Sequence, residues 1–209
     1  MLYSPEMDHV KTIYSHQVWS NLWGIPNAPN IPVPFSPYAH WDTTPDGKIV
    51  IGYSDKYEIS IYDKEAVKLA SISHAYEPVK VTKQDREFFF KSLFFSGQTS
   101  DGTIVKKDPP PTLKENVKFP EFKPAFSSIV VDSEENILVC IYGKDKKEEY
   151  QSFDAFDSEG NFISCVRIES EHSFLNLRNA QIKDGCFWAR ESDNDGYQKI
   201  VKYRIANFE

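Results

Sequence analysis

Short apolar runs, each set off by a polar turn, dominate the chain. Lys48-Ile49-Val50-Ile51-Gly52-Tyr53 follows the turn Pro45-Asp46-Gly47. Tyr57 to Tyr62 alternates, with Ile59 and Ile61 on one face, and Asp63 opens the next turn before Leu69 to Ile72. Runs of this length with period-two alternation and Asp/Gly punctuation predict antiparallel strands joined by tight turns, a meander. The texture then returns. Ser128 to Val131, Ile137 to Tyr142, Gln151 to Phe156 and Phe162 to Ile168 read as strands, with turns at Asp132 to Asn136 and Asp157-Ser158-Glu159-Gly160-Asn161. A third copy starts at Arg178, turns at Asp184-Gly185, continues through Cys186-Phe187-Trp188-Ala189 and ends in Lys199 to Ile205.

The copies superpose on one another. Ile49, Ile137 and Phe187 each follow a polar turn and a spacer. Tyr62-Asp63-x-Glu65 matches Phe156-Asp157-x-Glu159, and Leu69 then matches Ile163 without a gap. Tyr203 is the aromatic equivalent in the third copy. Several strands per unit, repeated every ~40 to 50 residues, are the mark of a propeller blade. A plain antiparallel sandwich with regular hairpins is the competing architecture. The turn chemistry, which repeats along with the strands, favours the propeller. Residues 37 to 75, 120 to 170 and 175 to 209 are therefore expected as consecutive meanders stacked face to face.

Two segments break the pattern. Pro26, Pro29, Pro32, Pro34 and Pro37 remove five backbone donors, so residues 1–36 read as a proline-rich lead-in rather than ladder strands. Between the first and second copies lies an insertion at about residues 76–119. In it Thr82 is a candidate N-cap, with Asp85 three residues on in the manner of a capping box. A helix is expected from Thr82 to Phe95, burying Phe90, Leu93 and Phe94 on one face and stopping at Gly97. Lys106-Lys107-Asp108 and Pro109 to Pro111 read as a solvated loop.

Composition narrows the class. The 209 residues are 40% hydrophobic, 26% charged and 14% aromatic, enough for a packed core and favourable to strands. A formal charge of -7 argues against a nucleic-acid partner. No apolar run is long enough to span a membrane, and Met1 to Ser20 carries Glu6, Asp8, His9 and Lys11, unlike a signal peptide. The chain is either cytoplasmic or begins downstream of a lost leader. Cys140, Cys165 and Cys186 are far apart and form no CxxC pair, so they are expected as buried strand thiols.

Pro45-Asp46-Gly47-Lys48-Ile49-Val50-Ile51-Gly52 resembles the repeat of bacterial six-bladed β-propellers of the NHL/TolB-like kind. Tyr57-Glu58-Ile59-Ser60-Ile61-Tyr62-Asp63 fits that repeat too, as does Tyr76-Glu77-Pro78-Val79-Lys80-Val81-Thr82 leading into a helix. Lys123-Pro124-Ala125-Phe126 runs into Ser127-Ser128-Ile129-Val130-Val131-Asp132, which is similar to the opening strand of an NHL repeat. The likeness covers roughly residues 37 to 209. Such a propeller has about twice as many blades as the copies seen here, and similar propellers are often exported. The resemblance implies an all-β fold of propeller blades with one inserted helix. It also implies that first strands line a central channel.

By the alignment of copies, His40, Ser128 and Arg178 share one position at the start of a first strand. Asp42 lies two residues beyond His40, and Asn179 beside Arg178. These five residues are the candidates for a ligand site at the channel mouth, with ordinary inter-blade hydrogen bonds as the alternative use. His9, His16, His74 and His172 form no HxxxH or HExxH pair, and His74 and His172 are expected to be solvated. No GxSxG elbow accompanies the Ser, His and Asp residues. Glu191-Ser192-Asp193-Asn194-Asp195-Gly196 resembles the start of a calcium loop, but Lys202 falls where the bidentate Glu belongs, so it reads as a turn.

No catalytic residue, metal ligand or cofactor is assigned from these patterns. A binding module for a protein, peptide or glycan is the first functional expectation. A metal-dependent lactonase- or lyase-like propeller enzyme is the alternative, for which only His40, Asp42 and Asn179 offer ligands. Blade faces left open are expected either to pair two copies of the chain into a homodimer or to belong to a segment of a longer propeller, with Met1 to Val33 capping a monomer as the alternative.

Overall fold

A computed structural model describes residues 2–3, 9–12, 15, 34–92, 95–98, 104–108, 111–142, 150–169, 176–183, 186–192 and 198–204. The chain divides into two compact units. One comprises Met1–His16, Pro37–Glu77 and Pro124–Glu209, the other Gln17–Ser36 and Pro78–Lys123.

In chain order, β1 (Leu2–Tyr3) and β2 (His9–Lys11) form a short antiparallel pair. A four-stranded sheet follows from β3 (Ala39–Thr43), β4 (Ile49–Tyr53), β5 (Glu58–Tyr62) and β6 (Lys68–Ser73). The insertion then supplies α1 (Lys83–Ser92), β7 (Phe95–Gln98), β8 (Ile104–Lys107) and the short α2 (Pro111–Asn116). A second sheet comprises β9 (Ser128–Val131), β10 (Ile137–Ile141), β11 (Tyr150–Phe156) and β12 (Phe162–Glu169). A third comprises β13 (Asn176–Lys183), β14 (Cys186–Ser192) and β15 (Gln198–Arg204). Each of the three sheets is a simple meander in chain order. The expected meanders are therefore present, and β3 is the first strand expected at His40.

One turn recurs four times. Thr44, Asp63, Asp132 and Asp157 each offer a side-chain oxygen to the N–H of the residue four positions on, at 2.7 to 2.8 Å. Their own N–H groups donate to the carbonyl of that same residue. The residue at the third step takes a positive φ, +91° at Gly47, +62° at Ala66, +66° at Glu135 and +90° at Gly160. This is a three-residue hairpin connection with a left-handed residue before the returning strand. It joins β3 to β4 and β5 to β6, and in the same way β9 to β10 and β11 to β12. Two sheets thus carry the same pair of turns, the structural form of the repeat seen in the sequence.

The three sheets stack through two cores, both within the first unit. Val50, Ile59, Ile61 and Ile72 from the first sheet meet Ile129, Val131, Ile137, Val139 and Phe156 from the second. Val130, Leu138, Cys140, Phe153 and Ala155, on the opposite face of the second sheet, meet Ile182, Phe187 and Ala189 of the third. Alternation along β9, β10 and β11 sends successive side chains into different cores. The second sheet is buried on both faces, which explains why Ile137-Leu138-Val139-Cys140 is continuously apolar.

First strands lie together at the centre of this stack. The His40 ring approaches Phe126, which precedes β9, at 5.5 Å. Asp42 Oδ2 accepts from Val131 N–H at 2.8 Å. Lys48 Nζ reaches Glu135 Oε2 at 3.0 Å, linking the two equivalent turns. Contacts that advance together along both chains mean that β3 and β9 run parallel. A parallel bridge from Asp132 to Ile182 sets β13 on the other side. Four-stranded meanders packed face to face, with parallel first strands adjacent, are propeller blades. The fold is all-β, a partial β-propeller.

The second unit differs from expectation at three places. The capping box forms: Asp85 N–H donates to Thr82 Oγ1 at 3.3 Å, and Thr82 N–H donates to Asp85 Oδ2 at 2.8 Å. Phe90 is half-buried against Phe89 and Phe119. Phe95, however, already belongs to β7, and Gly97 sits inside that strand opposite Val105 instead of stopping a helix. The aromatic Phe95 and the β-branched Ile104 and Val105 suit a ladder better than a helical extension. Lys106 and Lys107 consequently belong to β8 and not to a loop. Pro111 opens α2, where its missing N–H costs no hydrogen bond. Leu93 and Phe94, and Pro26, Pro29 and Pro32, lie outside the described residues.

Candidate functional site

The channel-mouth candidates fall on the first strands, but they face two different seams. His40 and Asp42 share the β3 face that looks toward the second sheet. His40 lies opposite Gly52 in the ladder. A Cβ at Gly52 would sit 2.9 Å from Phe126 Cζ, so the glycine is what lets the fully buried Phe126 slide beneath the imidazole. Half-buried His40 therefore packs against Phe126 in a T-shaped ring contact.

Asp42 has both carboxylate oxygens engaged. Oδ1 accepts from Thr43 N–H at 2.8 Å while Oδ2 accepts from Val131 N–H at the same distance. An ionised acceptor facing two backbone donors makes strong, charge-assisted bonds. The second of these joins neighbouring first strands. Asp42 is a clamp between blades.

Ser128 points the other way. It pairs with Cys140, whose side chain belongs to the core shared with the third sheet. The Ser128 Oγ is buried and, among the described residues, meets no hydrogen-bond partner. Burial pushes the neighbouring Cys140 thiol up to about 12, so this thiol is an inert core group at neutral pH. Arg178 and Asn179 lie on β13, beside β9. Between Asn176 and Gln181 the pairing of β13 with β14 shifts register, and both residues fall inside that irregular stretch. The structure thus brings His40 and Asp42 into one seam, and puts Ser128 on the side of β9 that faces β13.

A polar contact that the sequence reading passed over joins the first two sheets. Tyr57, at 4% exposure, donates its hydroxyl to Asp154 Oδ2 at 2.8 Å, and Asp154 is itself buried. Burial first, and the Asp154 charge second, hold the phenol above its ordinary range. Tyr57 is ringed by His74, Tyr76, Phe126 and Phe156 at 5.6 to 6.4 Å between ring centroids. His74 is half-buried rather than solvated. Its ring stacks on Phe162 at 4.8 Å, which the aromatic at the start of β12 makes possible. One signal was present in the sequence. Asp154 lies at the same parity as Phe156 on a strand, an acidic residue at an inward position.

The cysteines divide. Cys140 and Cys186 are buried, but Cys165, opposite Asp154 on the edge strand β12, is exposed. Glu191 lies in β14, and Asp193 to Gly196 and His172 lie outside the described residues. Among the described residues no three His, Cys, Asp or Glu side chains gather as they do around a metal ion. No described helix is long and apolar enough to cross a membrane.

No protein-family model matches the chain, and no curated protein matches it. Solved structures with some likeness include a streptogramin B lyase, at TM-score 0.27 and 14% identity, with 80% of this chain and 54% of that chain covered. A virginiamycin B lyase from Staphylococcus aureus gives TM-score 0.27 and 11% identity, over 80% of this chain and 55% of that one. A eukaryotic initiation factor gives 0.22 and 16%, over 87% and 43%. The chain spans about half the length of the lyase chains it matches. Superposition this loose carries nothing about chemistry.

Proposed function

We propose that the chain is a binding module. Its blades, repeats of the six-bladed NHL/TolB-like kind spanning residues 37–209 with an insertion at about 76–119 and a lead-in at 1–36, hold a protein, peptide or glycan. The mouth of the first strands, with His40, Arg178 and Asn179, is the proposed contact region, and Asp42 and the buried Ser128 shape it from beneath. The observation that carries this reading is the employment of the carboxylates. Asp42 is bound to two amides, Asp154 to the Tyr57 hydroxyl, and Asp63, Asp132 and Asp157 to turn amides. A metal-dependent lyase or lactonase needs converging carboxylates free to act.

Two measurements on the purified 209-residue chain test it. Peptide and glycan arrays are expected to show saturable binding that His40→Ala and Asn179→Ala each weaken. Elemental analysis is expected to find no stoichiometric metal. Stoichiometric metal that Asp42→Ala releases would replace this proposal with the enzyme.

A further inference from the structure

The two outer faces of the three-sheet stack are unlike in charge and alike in exposed apolar groups. On the first sheet, Trp41, Ile51, Ser60 and Ser71 stand in one ladder row on the face turned away from the core. Trp41 is 64% exposed and Leu69 53%. The acidic residues Asp55 and Glu58, with Lys56 between them, are exposed at the end of this face. On the third sheet, the outward row is Gln181, Trp188 and Lys202, and Ile200 stands opposite Arg190 in the next. Ile200 is 69% exposed, and Lys202 Nζ lies 5.1 Å over the Trp188 ring. Lys183 is exposed on the same face. Strands β13 to β15 carry six basic residues and one acidic, in a chain of 24 basic and 31 acidic.

We infer that these faces bind each other between two copies of the chain, third sheet of one against first sheet of its partner. The stack already uses one contact rule twice: the face of each sheet turned toward the next in sequence packs on the near face of that sheet. Third-to-first pairing applies the same rule once more. It matches a cationic face bearing Trp188 and Ile200 with an apolar face bearing Trp41 and Leu69 beside two carboxylates. Such a contact is head-to-tail, and two copies that close it form it twice. The inference does not depend on the first-strand mouth binding any ligand.

Sedimentation velocity on the 209-residue chain tests it. The expected species is a dimer whose dissociation rises with salt, as a charged contact requires. Trp41→Glu and Ile200→Glu are each expected to raise the dissociation constant at least about thirty-fold, the scale of an interface hot spot. Both positions are more than half exposed, so circular dichroism of each monomer should match the parent. Mixing the two variants is the sharper arm. Each retains the face that the other lacks, so the mixture is expected to regain association that neither shows alone. A monomeric parent, a dimer untouched by either substitution, or a mixture that stays monomeric would overturn the inference. So would a monomer that binds heparin through Lys183 and Lys202, which would make a polyanion the occupant.

Discussion

The second sheet and the first sheet have the same strand order and the same two turns, yet they solve different packing problems. Every residue of β10 except Ile141 is buried, whereas β4 alternates between buried and half-buried. The middle blade is a core element on both sides. The first blade has one face in the core and one that carries Trp41 and Leu69 outward. Equivalent sequence positions therefore differ in what a substitution does, and position in the stack decides the difference.

The largest contrast is expected from side-chain truncation. Phe153 and Leu138 are fully buried in the middle blade, and Phe153→Ala should destabilise by ~3 to 5 kcal/mol and Leu138→Ala by ~2 to 5 kcal/mol. Val67→Ala, at a turn residue 56% exposed in the first blade, should stay within ~0.5 kcal/mol. Denaturant titrations of the three variants check this, and equal losses would break the comparison.

The paired turns sharpen it. Gly47 and Gly160 have nearly the same φ, but a Cβ at Gly47 meets nothing within 4 Å, and one at Gly160 would lie 2.7 Å from Ile72 Cγ1. Gly47→Ala should cost ~1 to 2 kcal/mol from the left-handed backbone alone. Gly160→Ala should cost more, because Ile72 of the first blade must also move, and trimming Ile72 to Ala in the same chain should remove the excess. The clamp between first strands comes next. Asp42→Ala leaves the Val131 amide without its acceptor and should cost ~1 to 3 kcal/mol by the same titration.

The smallest effect concerns acid. The Lys48 ammonium first, and the Thr44 hydroxyl second, hold the exposed Asp46 carboxyl down at about 2, below its ordinary 3.8. A depressed carboxyl contributes stability above its unfolded pKa and loses it as pH falls through the folded value. Asp46→Asn should therefore differ from the parent above pH 3.8 and converge with it as pH falls toward 2. A difference that persists unchanged to the acid end would contradict this.

Much of the fold was legible because turn and strand signals were local. The Asp-led turns at Asp63, Asp132 and Asp157 announced themselves, and so did the capping box at Thr82 and Asp85. Long-range facts were hidden. Gly52 reads as an ordinary strand glycine until Phe126 is placed against it, 74 residues later in the sequence. The bond from Val131 N–H to Asp42 Oδ2, 89 residues apart, has no trace in the local sequence. The strand at Phe95 was missed because Phe90, Leu93 and Phe94 fit a helical face by spacing, and Lys107, the ladder partner that claims Phe95, lies beyond Gly97. The first-strand positions of His40 and Ser128 were readable from register. That their side chains enter different seams follows from the stacking of the sheets, which no single strand encodes.

The central claim is that one sheet is covered on both faces by its two sequence neighbours. Proton-proton Overhauser contacts among labelled aromatic rings test this most directly. The account predicts a contact between Phe153 and Phe187, whose rings are 5.9 Å apart, and another between Phe156 and Tyr57, at 6.4 Å. Phe153 and Phe156 would then report different neighbouring sheets from one strand. A Phe153 ring with no contact to Phe187, or with contacts only to the rings around Tyr57, would contradict the stack.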